Sequence, residues 1–110
     1  MRRLAFALLA TASLAIPAAF AADMPEFQLA IENHKFIPDR IEVPAGRKVK
    51  LVVDNRDATA EEFESGALRI EKVIAGKGKG IVYVGPLEPG EHKFIGEYHE
   101  KTAHGVVVAK

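Results

Sequence analysis

The feature that most constrains this chain is its run of short apolar segments with the period of β-strands. Phe27, Leu29 and Ile31 alternate with other residues in FQLAI, Ile41 and Val43 in RIEV, and Val49, Leu51 and Val53 in KVKLVVD, all bounded by Pro, Gly, Asn or Asp. LRIEKVI, GIVYVG, HKFIGEY and GVVVA continue the pattern, with turns at AGKGKG and LEPGEH. About seven short strands separated by turns predict an all-β sandwich. No repeat, low-complexity linker or long helix interrupts them, and at most one turn of helix is expected within DATAEEFES.

Ahead of the strands lie Arg2-Arg3, the apolar run LAFALLATASLAI and the small-residue segment PAAFA. Together they read as a Sec-type signal peptide over residues 1–21, ending at the triplet Ala19-Phe20-Ala21. The run is too short to remain as a spanning anchor. Cleavage after Ala21 leaves 89 of the 110 residues, enough for one domain over 22–110. It also removes two of 15 basic residues against 15 acidic ones, a net charge of −2, which argues against nucleic acid as a partner. With no cysteine, no disulfide supplements the core. The core holds alone, or a metal or partner helps.

Alternating strand direction decides which loops share an end. If the first strand runs upward, NHKFIPD lies at the top, VPAGR at the bottom, and DNRDATAEE at the top again. LEPGE is at the bottom by the same count, so HEKTAHG returns to the top. His34, Glu61 and His99 then belong to one end, a count that a Greek-key crossover around residues 65–80 does not easily disturb.

The segments FIPDRIEVPAGRKVKLVVDNRD and LEPGEHKFIGEYHEKTAHG resemble the N- and C-terminal halves of a cupredoxin, over nearly all of the mature chain. The resemblance implies a cupredoxin-like Greek-key sandwich and sets its copper-ligand positions: Glu61 stands where the first copper histidine belongs, Gly96 where the cysteine belongs, and Thr102 or Ala103 in the region of the axial methionine. Only His99 keeps a ligand type. A blue-copper centre needs a thiolate with two imidazoles, so this chain cannot build one.

The pattern AEEFES…IEKVI…PLEPGEHKFIGEYHEKTAHG is more specifically similar to the cysteine-less cupredoxin-like proteins of bacterial periplasmic iron uptake, in systems built around an Ftr-type iron permease. More distantly it resembles the cupredoxin domain of EfeO-type proteins, through the Glu-aromatic-Glu segment Glu62-Phe63-Glu64. That resemblance implies a periplasmic accessory to iron import, with an inner-membrane iron permease complex and other periplasmic iron-uptake proteins as partners. Carboxylate and imidazole in place of thiolate and thioether make a harder site, suited to iron, manganese, zinc or Cu(II) rather than Cu(I). Anionic oxygen donors favour ferric over ferrous iron, so oxidation of ferrous iron is among the activities implied.

Each candidate ligand has a plainer alternative. His99, flanked by Glu97 and Glu100, is a metal ligand or a surface histidine in an acidic loop. Glu61, Glu62 and Glu64 are ligands or a solvated charge cluster. His34 is a ligand or a histidine bonded to a loop carbonyl. Either Glu97 or Gly96 faces the metal end, and a glycine there leaves room for a carboxylate or a second ion. Glu71 is expected to pair with Lys72, less so to act as an outer ligand; His104 ranks low and His92 is placed at the surface of the opposite end.

Ser65 has no base placed beside it, and AGKGKG lacks the Lys-Ser or Lys-Thr and helix of a phosphate-binding loop. Three functions stay open: a periplasmic protein of iron uptake that binds iron and/or copper, a copper or zinc chaperone without redox activity, and a metal-free interaction module.

Overall fold

A computed structural model describes residues 24–110, together with Ala12; the expected signal peptide otherwise lies outside the described residues. Nine strands are present among them: β1 (Glu26–Glu32), β2 (Lys35–Ile37), β3 (Arg40–Val43), β4 (Val49–Asn55), β5 (Glu61–Ser65), β6 (Ile70–Ile74), β7 (Lys79–Val84), β8 (Gly90–Gly96) and β9 (His104–Ala109). They form two sheets, β2-β1-β4-β7 and β3-β9-β8-β5-β6. The β1/β4 and β3/β9 pairs are parallel, and the others are antiparallel. No helix among the described residues is long and apolar enough to cross a membrane.

The expected period-two positions form the core, except Phe27, which is partly buried and packs against it. Leu29, Ile31, Ile41, Val43, Val49, Leu51 and Val53 are all buried, joined by Val82, Val84 and Val107 from the later strands. Towards the end that carries His99, the filling is aromatic. Phe63 and Phe94 stack at 4.7 Å, and Phe36 meets both edge-on at 5.9 and 4.9 Å, geometries that aromatic quadrupoles favour. Gly105 lies opposite Phe94 in the β8/β9 ladder, and a Cβ there would sit 2.2 Å from the Phe94 ring. Gly105→Ala is therefore expected to lower stability by about 1–3 kcal/mol by overpacking, read as a fall in the urea midpoint with an unchanged slope.

The count differs from the expected seven at two places. Asn33 and His34 both have positive φ, 53° and 59°, and join Glu32 to Lys35 in a two-residue hairpin that creates β2. The segment EEFES, where at most a helical turn was expected, is strand β5, an interior strand of the second sheet between β8 and β6. The strand before the final loop is displaced from HKFIGEY: β8 begins two residues earlier, at Gly90, and stops at Gly96, so that Glu97–His99 is a 3-10 turn.

Candidate metal centre

The centre is organised by strand alternation in β5. Glu61, Phe63 and Ser65 point into the sandwich, while Glu62 and Glu64 point to its outer face. Ser65 settles inside by donating its hydroxyl to the Lys93 carbonyl at 2.6 Å and accepting from the Leu68 amide at 3.0 Å. Glu61 is 1% exposed. A carboxylate that deep must have its lone pairs occupied. Its Oε1 accepts the amides of Glu62 at 3.0 Å and Tyr98 at 2.9 Å, and its Oε2 lies 2.5 Å from His99 Nδ1.

The space for Glu61 is provided by Gly96. A Cβ at position 96 would lie 2.7 Å from the Glu61 Cδ and 2.6 Å from the Ala103 Cβ. Gly96 has an ordinary extended backbone (φ −93°, ψ 105°), so glycine is required there for room, not for conformation. The glycine at the expected cysteine position thus does leave room for a carboxylate, and the carboxylate that takes it is Glu61.

His99 ends the 3-10 turn, and the loop closes around it. Its carbonyl accepts the amides of Thr102 and Ala103, while the Gly96 amide donates to the Ala103 carbonyl. His34 stacks on His99, with ring centroids 3.5 Å apart and planes 13° from parallel. The strained hairpin that presents His34 is clamped by Asp57, whose two carboxylate oxygens accept the amides of Asn33 and His34 at 2.9 and 3.0 Å. Those bonds, that from the His34 amide foremost, hold the Asp57 carboxyl below its usual range. Asp57 is held in turn by Asn55, fully buried, whose Oδ1 accepts the Asp57 amide and whose Nδ2 donates to the Thr59, Ile74 and Ala75 carbonyls.

A second group lies on the outer face. Glu62, Glu64, Glu71 and Glu97 each offer a carboxylate oxygen within 4.8 Å of the others, the one such group of three or more among the described residues. Glu64 is directly opposite Glu71 in the β5/β6 ladder. The Glu64 carboxyl is pushed up to about 7, first by its hydrogen bond to Glu97, and that of Glu62 is raised for the same reason; Glu97 is lowered, because it accepts from both. The patch therefore shares a proton at near-neutral pH.

Because the Glu64 proton is held more tightly in the folded chain, its contribution to stability is complete below about pH 4.5 and is lost as pH rises through about 7. Glu64→Gln should thus raise the Tm at about pH 8 and leave it unchanged near pH 4, when thermal unfolding of both proteins is followed by circular dichroism without added metal.

The predicted ligands divide into two neighbouring sets. Glu61, His99 and His34 come together inside the end of the sandwich, and Glu62, Glu64 and Glu97 come together outside it. His34 does reach the same end as His99, as the direction count requires. The two rings lie in nearly parallel planes, however, and imidazole nitrogens bind a metal in the ring plane, so as stacked they do not address one ion. Glu71 joins the carboxylates, and among the described residues no ion pair links it to Lys72. His92 Nε2 contacts the Glu88 carbonyl at 2.9 Å, and His104 is exposed in a groove with Asp39, Arg40 and Glu91. Sequence reasoning missed Asp57, which anchors the Asn33-His34 turn from 24 residues away in sequence and has no local signal there.

The donor chemistry does not fit a blue-copper centre. No thiolate exists in the chain, and the volume a side chain would need at position 96 is filled by Glu61. Oxygen and imidazole donors fit a harder ion, with His99 and the outer carboxylates as the groups that face away from the core.

A two-sheet Greek-key sandwich with a histidine on the loop between its last two strands defines a cupredoxin-type protein, here without the thiolate. The chain belongs to the family of cupredoxin-like domains, whose profile matches residues 4–109. An uncharacterized protein of Rickettsia prowazekii (strain Madrid E) is 37% identical over 83 residues, which are 76% of this chain and 66% of that protein. Among solved structures, the metal-binding domain of the Streptococcus pneumoniae D39 Cu(I)-exporting P-type ATPase CopA, with Cu(I), aligns with a TM-score of 0.66 at 16% identity, covering 77% of this chain and 84% of that one. Amicyanin from Paracoccus versutus aligns with a TM-score of 0.61 at 17% identity, covering 82% and 88%. At these identities the likeness is one of fold.

Proposed function

We propose that this protein is a periplasmic metal-binding component of iron uptake. It holds iron and/or copper through Glu and His ligands and delivers the ion to, or oxidises ferrous iron for, an inner-membrane iron permease complex. The observation that carries the metal reading is the pairing of four carboxylates within 4.8 Å of one another with a histidine held on the adjoining Glu97–His99 turn. Carboxylate oxygen supports iron over a softer metal, because an anionic hard donor stabilises a trivalent ion most. The electron from ferrous iron would pass to oxygen, to bound copper or to a membrane partner.

A second reading, a copper carrier without redox activity, draws on the fold shared with a Cu(I)-bearing domain. The missing thiolate weighs against it, since Cu(I) prefers sulfur.

Protein purified without a chelating tag is expected to bind iron in stoichiometric amount, and Cu(II)-loaded protein to lack the intense charge-transfer band of a copper thiolate. Oxygen uptake on addition of ferrous iron separates oxidase from carrier. Cu(II) binding without iron binding selects the copper carrier, and binding of neither metal leaves a metal-free interaction module.

A further inference from the structure

The geometry points to Glu61 as a positioning residue that fixes the tautomer of His99, so that the metal-binding atom is the outward Nε2 and not the Nδ1. The inference rests on the metal-binding reading above and specifies which atom does the work. Three constraints act on the His99 ring. Stacking on His34 at 3.5 Å sets its plane. The 2.5 Å contact from Nδ1 to Glu61 Oε2 sets its rotation within that plane. The Glu61 carboxyl cannot turn, because its other oxygen accepts two backbone amides, those of Glu62 and Tyr98.

An ionised carboxylate only accepts hydrogen bonds, so the proton at this contact belongs to Nδ1. In the neutral ring Nε2 then carries the lone pair. The side chain of His99 is 25% exposed while that of Glu61 is 1% exposed, so the engaged edge is the inner one. The turn also lines a cleft of about 380 Å³ with Glu97, Glu100 and Thr102 among its walls, which gives an ion room beside the ring. A carboxylate behind a ligating imidazole is the arrangement that raises ligand basicity and holds ring orientation at metal sites.

The inference makes a directional claim about Glu61→Gln. The two backbone amides can only donate, so the glutamine must turn its carbonyl oxygen toward them. Its NH2 then faces Nδ1, which becomes the acceptor, and the proton moves to Nε2. No ligand is removed, yet the outward nitrogen now bears a proton.

The test is imidazole 15N NMR on the full mature chain at about pH 8.5, where free imidazole is neutral, with Zn2+ as a diamagnetic probe. The expected wild-type spectrum shows His99 protonated at Nδ1 without metal, and Zn2+ shifts Nε2 while Nδ1 keeps its proton. Glu61→Gln is expected to show the opposite tautomer and about 10–100-fold weaker Zn2+ binding. A wild-type His99 protonated at Nε2, or Zn2+ bound at Nδ1, overturns the inference while leaving metal binding intact. Zn2+ that shifts neither nitrogen overturns His99 as a ligand, and with it the metal half of the claim, whatever the tautomer. The wild-type spectra decide the matter even where the variant fails to fold.

Discussion

Glu61→Ala is expected to lower stability by about 3 kcal/mol, because it strands the Glu62 and Tyr98 amides and His99 Nδ1 around an emptied volume in the core. Gly96→Ala should cost about 1–3 kcal/mol for the opposite reason, its methyl being forced against Glu61 and Ala103. The two changes address the same space. In the double variant the methyl occupies volume that the carboxyl has left, although the Ala103 contact remains. The combined loss should thus fall short of the sum of the single losses by about 1 kcal/mol, measured by urea unfolding of all four proteins. Strict additivity would mean that Glu61 and Gly96 do not share the pocket.

Neutralising the outer carboxylates is expected to change metal preference more than stability. Glu64→Gln combined with Glu97→Gln should weaken Fe(III) binding by about tenfold or more and Cu(II) binding by less, since a trivalent ion loses more attraction for each anionic ligand removed. His99→Ala should have the converse signature, costing Cu(II) more, because imidazole is the donor that copper keeps when the carboxylates are neutralised. Competition titrations of both metals against a chelator measure the two ratios. Equal losses for both metals in the carboxylate variant would reduce the patch to a solvated face.

How much of this was legible in the sequence depended on whether inward positions were apolar. β1, β4 and β7 place Val, Leu and Ile on the inner face in alternation, and β9 is a short apolar run, so these segments predict the sandwich directly. β5 has the same alternation, but its inward residues are Glu61, Phe63 and Ser65, so two of three are polar and satisfied by hydrogen bonds. Glutamate is also depleted in strands, and a segment with three of them reads as a loop. The hidden strand is therefore the one that builds the centre. β2 escaped for a different reason: three residues are too few to show a period, and its turn is Asn-His where Asn-Gly is the usual signal.

The site followed the same division. Direction counting brings His34, Glu61 and His99 to one end, as the stacking and hydrogen-bond distances show. Nothing in the spacing of Glu61, Glu62 and Glu64 separates ligands from orienting groups until the strand is known, because one register step sends a side chain to the other face. Asp57 contributes through backbone amides of a loop 24 residues away in sequence, a contact that residue types alone do not announce.

The most direct test of the central claim, that this end of the sandwich holds a metal ion, is a crystal of the mature protein soaked in ferric or cupric salt, with anomalous scattering recorded at the Fe and Cu edges. The expected result is an anomalous peak within coordination distance of His99 or of the Glu62, Glu64 and Glu97 carboxylates, at about 2.0–2.2 Å from nitrogen or oxygen donors. Occupied peaks only elsewhere on the sandwich, or none at either edge in protein that retains its fold, would contradict it.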